Sequence, residues 1–152
     1  MRKATGSKSA GDSVDSPRIK PVSREQIRAI AKFLRSFEAM KPEDFSHSVR
    51  LNSDVGYGIG HIEFHPVVHE FRKACYENGF VQPFGWTEWQ REALRYMNSP
   101  AVVAAARLAT CIKLITAHIR CERFGDGHLQ EVFESGHLTA VLRRLKQLTT
   151  SK

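Results

Sequence analysis

No run of apolar residues in this 152-residue chain approaches the roughly 18 that a bilayer-spanning helix requires, so no membrane partner is expected. Cysteine is scarce. Cys75, Cys111 and Cys121 are odd in number, form no CxxC pair and each fall inside a predicted helix, so they read as small buried hydrophobes in a reducing compartment. The opening stretch MRKATGSKSAGDSVDSPRIKP lacks the apolar centre of a secretory signal, and a cytoplasmic location is expected. Glycines alternate in DVGYGIGHIEF, but no Lys-Ser/Thr follows and no helix opens directly behind them. A phosphate-cradling loop is therefore disfavoured against a flexible turn or short hairpin near 55–64. No catalytic motif is complete, and no cofactor is expected.

What the chain has is positive charge at both ends. The formal net charge is +7; residues up to 24 carry Arg2, Lys3, Lys8, Arg18, Lys20 and Arg24 against Asp12 and Asp15, and no acid follows Glu134. Such a field attracts polyanions without specifying them, which permits nucleic-acid contact through the termini and equally serves solubility.

Periodicity supplies the fold. Residues 1–22 show no apolar period and read as a disordered basic tail, residues 23–148 as the helical domain, and 149–152 as a short tail. Ser23 with Gln26 makes a capping box, and Ile27, Ile30, Ala31, Leu34 and Phe37 form one stripe of a helix ending near Met40. His65-Pro66 starts a second helix, which Asn78-Gly79 stops. The spacing His61, His65, His69 suggests ligands, but Pro66 breaks the face that would align them, leaving His65 as a cap and His69 in solvent. Thr87 with Gln90 suggests a capping box for a third helix carrying Trp89, Ala93, Tyr96 and Met97 inward, with Trp86 stapled onto its first turn. Ser99-Pro100 caps a short apolar run that leads into a helix from Leu108 to Phe124. The predicted class is all-α, a compact single domain of five or six helices.

The stretch HIRCERFGDGHLQEVFESGH concentrates the chemistry. Advancing about 100° per residue from Leu108, Ile112 and Ile119 define the core direction, and His118 and Glu122 project at about 280° and about 320°, on that same inward side. A buried carboxylate must be paired or neutralised. Gly127-His128 and Gly136-His137 both sit at predicted helix starts, where a corner can bring His128, His137, Glu134 and Arg143 towards Glu122.

Three readings follow. His118 and Glu122 with His128 or His137 have the donor types of a divalent metal site, although no metal ligand set is assigned. Glu122, His118 and His128 can act as acid–base groups, with Arg123 or Arg143 to hold an anionic substrate and Glu134, His137 and Arg144 as further binding candidates. Or the residues form a hydrogen-bonded network that fixes how short helices turn, the commonest origin of such clusters.

The residues Glu122, Arg123, Phe124, Gly127, His128, Leu129, Glu134, Gly136 and His137 also carry a resemblance. From His65 to Leu148 the chain resembles a family of small bacterial and phage proteins known only as a domain of unknown function. The resemblance implies a discrete domain and no particular chemistry. The leading expectation is a small binding or regulatory protein of bacteria or mobile elements, acting by protein or nucleic-acid contact. A hydrolase or nuclease-like enzyme using the His/Glu residues is the rival, and a phage anti-defence protein the third.

Overall fold

The computed structural model describes residues 18–49 and 61–150. Its elements run α1 (Arg24–Ala31), α2 (Phe33–Ala39), α3 (Pro42–Phe45), β1 (Ser46–Val49), β2 (His61–Phe64), α4 (Pro66–Glu77), α5 (Gln90–Met97), α6 (Pro100–Ala104), α7 (Leu108–Phe124), α8 (His128–Glu134) and α9 (His137–Thr150). The domain is mostly helical with one small antiparallel sheet. The largely helical class and a short hairpin agree with expectation, while the helices outnumber the five or six predicted. The extra segments are short. The predicted first helix is interrupted at Lys32, and single turns at Pro42 and Pro100 add helices of four and five residues.

The Ser23–Gln26 capping box forms as its letters require: the Ser23 hydroxyl accepts from Gln26 N at 3.1 Å, and Gln26 Oε1 accepts from Ser23 N at 2.8 Å. The box at Thr87 does not form. The Thr87 hydroxyl turns to Glu88 instead, a turn occupies residues 86–89, and the helix opens only at Gln90. Strands β1 and β2 pair Ser46 with Phe64 and Val49 with His61. The sheet thus begins earlier in the chain than the hairpin expected near 55–64. Gly56, Gly58 and Gly60 lie outside the described residues, as do the first 17 residues of the expected tail.

Helix α7 is the centre of the core. Cys111, Ile112, Leu114, Ile115, Thr116, Ala117, His118, Ile119 and Glu122 are all buried along it, far more of its circumference than a surface helix hides. The segment after α4 covers its second side, where the Thr116 hydroxyl donates to Phe80 O at 2.9 Å and accepts from Gln82 N at 3.1 Å. A second part of the core is aromatic: Phe45 stacks on Phe133 at 4.4 Å, and Phe37 meets Phe45, Phe71 and Phe133, tying α2, α3, α4 and α8 together. Helix α9 lies against α1, α2, α6, α7 and α8, with Leu138, Val141, Leu142 and Leu145 buried.

Residues 18–22 are fixed to this body. Buried Gln82 accepts from Lys20 N at 2.7 Å and donates to Lys20 O at 2.9 Å and Gly79 O at 2.8 Å, while Ile19 and Val22 pack on the core. Gln82→Ala leaves the Lys20 main chain without these partners. It is expected to cost about 1–2 kcal/mol and to speed tryptic cleavage after exposed Arg18, since Pro21 blocks cleavage after Lys20; unchanged cleavage would show that the side chains of Ile19 and Val22 hold the segment alone.

Candidate functional site

Two glycines in the left-handed region set the corner. Gly127 at φ 103° and Gly136 at φ 85° turn the chain immediately before α8 and α9, so that His128 and His137 become the first residues of those helices. Both rings then point back to α7. Nε2 of His128 lies 3.0 Å from Nδ1 of His118, and Nε2 of His137 lies 2.9 Å from Nε2 of His118. Three imidazoles form a chain with His118 in the middle. A neutral imidazole has one N–H and one lone pair, so His118 donates to one neighbour and accepts from the other.

Electrostatics keep the chain neutral. Burial pushes the His118 pKa well down, and positive charge on His137 or His128 would push it further. Burial and then His128 bring His137 to about 4. His128, partly buried, is lowered by burial while Glu131 and Glu122 oppose the shift. Burial also raises the thiol pKa of Cys75, and that of Cys111 to about 12, which keeps both as the inert core thiols their positions suggested.

Glu122, 5% exposed, does not meet the histidines through a hydrogen bond. Its Oε1 accepts from Leu129 N at 2.8 Å and its Oε2 from Gly127 N at 3.2 Å. These are main-chain donors at the start of α8, where helix N–H groups lack intrahelical acceptors and a carboxylate complements the dipole. Both oxygens are thereby engaged in capping the helix that carries His128.

The remaining sequence candidates disperse. Arg123 is exposed; Glu134 accepts from Gln130 Nε2 at 2.7 Å; Arg143 pairs with Glu38 of α2 at 2.8 Å; Arg144 donates to Ala106 O at 2.7 Å and to Gln147 at 3.3 Å. The expectation that Glu134 and Arg143 approach Glu122 is corrected, because the phase of α8 and α9 turns them outward. A shared metal is also geometrically disfavoured. His118 offers different ring nitrogens to its two neighbours, and among the described residues no group of three or more His, Cys, Asp or Glu has the arrangement to hold an ion. His65 caps α4 through Nδ1, which accepts from Val67 N at 3.1 Å, and His69 is exposed. An open groove of about 570 Å³, lined by Glu43, Asp44, His47 and His65 among others, contains none of the histidine-chain residues.

Sequence reasoning missed the cationic flank. Arg24, Arg28, Lys32 and Arg35 are all exposed and fall within an arc of about 80° on the α1–α2 rod. Lys32 at the break keeps right-handed helical dihedrals, so the stripe continues across it. Glu25 and Glu38 border it. The Arg143–Glu38 pair joins α9 to α2 at 2.8 Å, and Lys146, one turn on from Arg143 in α9, is exposed. The signal was present as a 4-4-3 spacing of cations.

The result is a mostly helical domain organised around a buried histidine chain, with cations gathered along its first and last helices. The chain belongs to the family of unknown function DUF6508, whose model matches residues 22–151 and so takes in the first helix that the sequence resemblance left out. No curated protein and no solved structure matches it.

Proposed function

We propose that this domain is a binding module for a polyanion, nucleic acid foremost, and that it binds through the α1–α2 and α9 flank. The observation that carries the reading is the row Arg28, Lys32 and Arg35, with Arg24 at its head, exposed along roughly 16 Å of one helical face in a chain of net charge +7. Phosphates spaced along a strand suit such a row, and neutralising them releases counterions. The hydrolase alternative draws less support, since the carboxylate it would use has both oxygens on main-chain N–H groups and the imidazoles engage one another.

Affinity for a duplex oligonucleotide, measured by fluorescence anisotropy, is expected to fall steeply between about 50 and about 200 mM salt. In the triple variant R28A/K32A/R35A the slope of log K against log salt should be shallower by about 2–3. Wild-type protein that fails to bind at low salt, or a variant with an unaltered slope, would overturn the proposal. All three side chains are exposed, so the fold is not at stake in the comparison.

A further inference from the structure

Among the described residues, the most exposed large hydrophobic side chain is Phe124, at 82%. It stands at the last turn of α7, not in a loose loop, and one face of its ring is stacked on Trp86 with centroids 5.7 Å apart and planes 29° apart. Trp86 is itself anchored: its carbonyl accepts from Gln90 Nε2 at 3.4 Å, and the same amide reaches Cys121 of α7 at 3.5 Å. A lone exposed phenylalanine needs no explanation, but a rigidly mounted aromatic pair with its outer face in water is an unfilled stacking position.

Two arginines of α7 flank it, and exposed Glu88 and Asp126 lie two residues from Trp86 and Phe124. Arg120 lies one turn before Phe124 on the same face of α7, and Arg123 is its neighbour; Glu122, two residues before Phe124, is buried with both oxygens on main-chain N–H groups. Lys113, at i−11, falls on the same stripe, about 16 Å away along the axis. There its ammonium sits 5.7 Å from the Phe84 ring centroid and 5.6 Å from that of Trp89, and Trp89 stacks on Tyr96. The stripe therefore alternates cations and aromatic faces, although the letters that compose it come from two separate segments of the chain.

We propose that the Trp86–Phe124 stack is a platform for the unpaired bases of single-stranded nucleic acid, with Arg120 and Arg123 placed for the adjoining phosphates. Every base offers a π-face, so such a platform is tolerant of sequence, and duplex bases, already stacked on one another, cannot use it. This rests on the polyanion-binding reading above and adds to it the preference for single strands.

The test compares a labelled single-stranded oligothymidine with a duplex of equal length, by anisotropy, on the whole chain carrying F124A or F124W. Loss of one base–aromatic stack corresponds to roughly 5- to 150-fold in affinity. F124A is expected to weaken single-strand binding within that range while duplex affinity changes less than about twofold, and F124W is expected to restore it. Tryptophan emission should be quenched by the single strand in the wild type and less so in F124A. Equal weakening of both nucleic acids, or no weakening of either, would overturn the platform. So would unchanged single-strand binding accompanied by loss of a wild-type dimer in sedimentation, which would make Phe124 a contact between copies. If F124A is without effect but R28A/K32A/R35A flattens the salt response, only this inference fails; if the wild type binds neither oligonucleotide, the underlying reading fails too.

Discussion

Lowering the pH from about 7 to about 4 is expected to remove about 3 kcal/mol of folding stability through His137 alone. Its pKa falls from the ordinary 6.5 to about 4 on folding, and each tenfold change in proton affinity corresponds to about 1.4 kcal/mol. The sign follows from proton binding. Below about 6.5 the unfolded chain protonates this imidazole and the folded one does not, so stability is full above that value and is lost as pH drops towards about 4. His118, shifted in the same direction and more deeply buried, adds to the loss, and partly buried His128 contributes less, since Glu131 and Glu122 oppose its shift. Urea titrations at several pH values between 7 and 4 measure the slope, and ring NMR assigns it. Three histidines titrating near 6.5 with a flat stability profile would disprove the account. His137→Gln, by removing one member of the chain, should reduce the slope across the same window.

Glu122→Ala is expected to cost about 3 kcal/mol, from two main-chain N–H groups, Gly127 and Leu129, that lose a carboxylate acceptor worth about 1.5–3 kcal/mol each, partly offset by relief of carboxylate desolvation. Glu122→Gln keeps one carbonyl oxygen and should cost about 1 kcal/mol. Chemical denaturation at neutral pH gives both values. Hydrogen exchange gives the location: the amides of Gly127 and Leu129 should exchange faster in Glu122→Ala, with α1 and α4 little affected. A change below about 0.5 kcal/mol would mean that water or a neighbouring group replaces the cap at little cost, and that the carboxylate is held for another purpose.

These two effects meet at one place because α7, α8 and α9 are joined by very short turns. The turns were legible in the sequence. A Gly-His pair twice over marks a left-handed residue followed by a helix start, and the projection of α7 placed His118 and Glu122 inward; both are as the structure has them. The apolar stripe of the first helix, the Ser23–Gln26 box and the His65-Pro66 start were equally legible, since each depends on residues within one or two turns of one another.

The partner of Glu122 was not legible for a physical reason. Spacing points to histidine and arginine side chains, yet the donors are main-chain N–H groups, which every residue but proline carries and no letter announces. The Thr87 box satisfied the local rule and still failed, because the turn at Trp86–Trp89 lets Trp89 pack against the Tyr96 ring and beneath Lys113. The burial of α7 on a second side was hidden for a related reason: the segment Phe80–Gln82 covers that side, and it does so through long-range bonds to Thr116.

What the sequence determined by itself is the longer helices, the caps at Ser23 and His65, the Gly-His starts of α8 and α9, the inward face of α7 and the excess of positive charge, because these follow from spacing along one chain. The tertiary structure decided which groups meet. It joined His118 to His128 and His137, gave Glu122 to the start of α8, set Arg143 against Glu38, and brought the Lys113–Arg120–Phe124 stripe under the aromatics of residues 84–96. Those meetings depend on how helices cross in space, and that is fixed by the packing of the whole core.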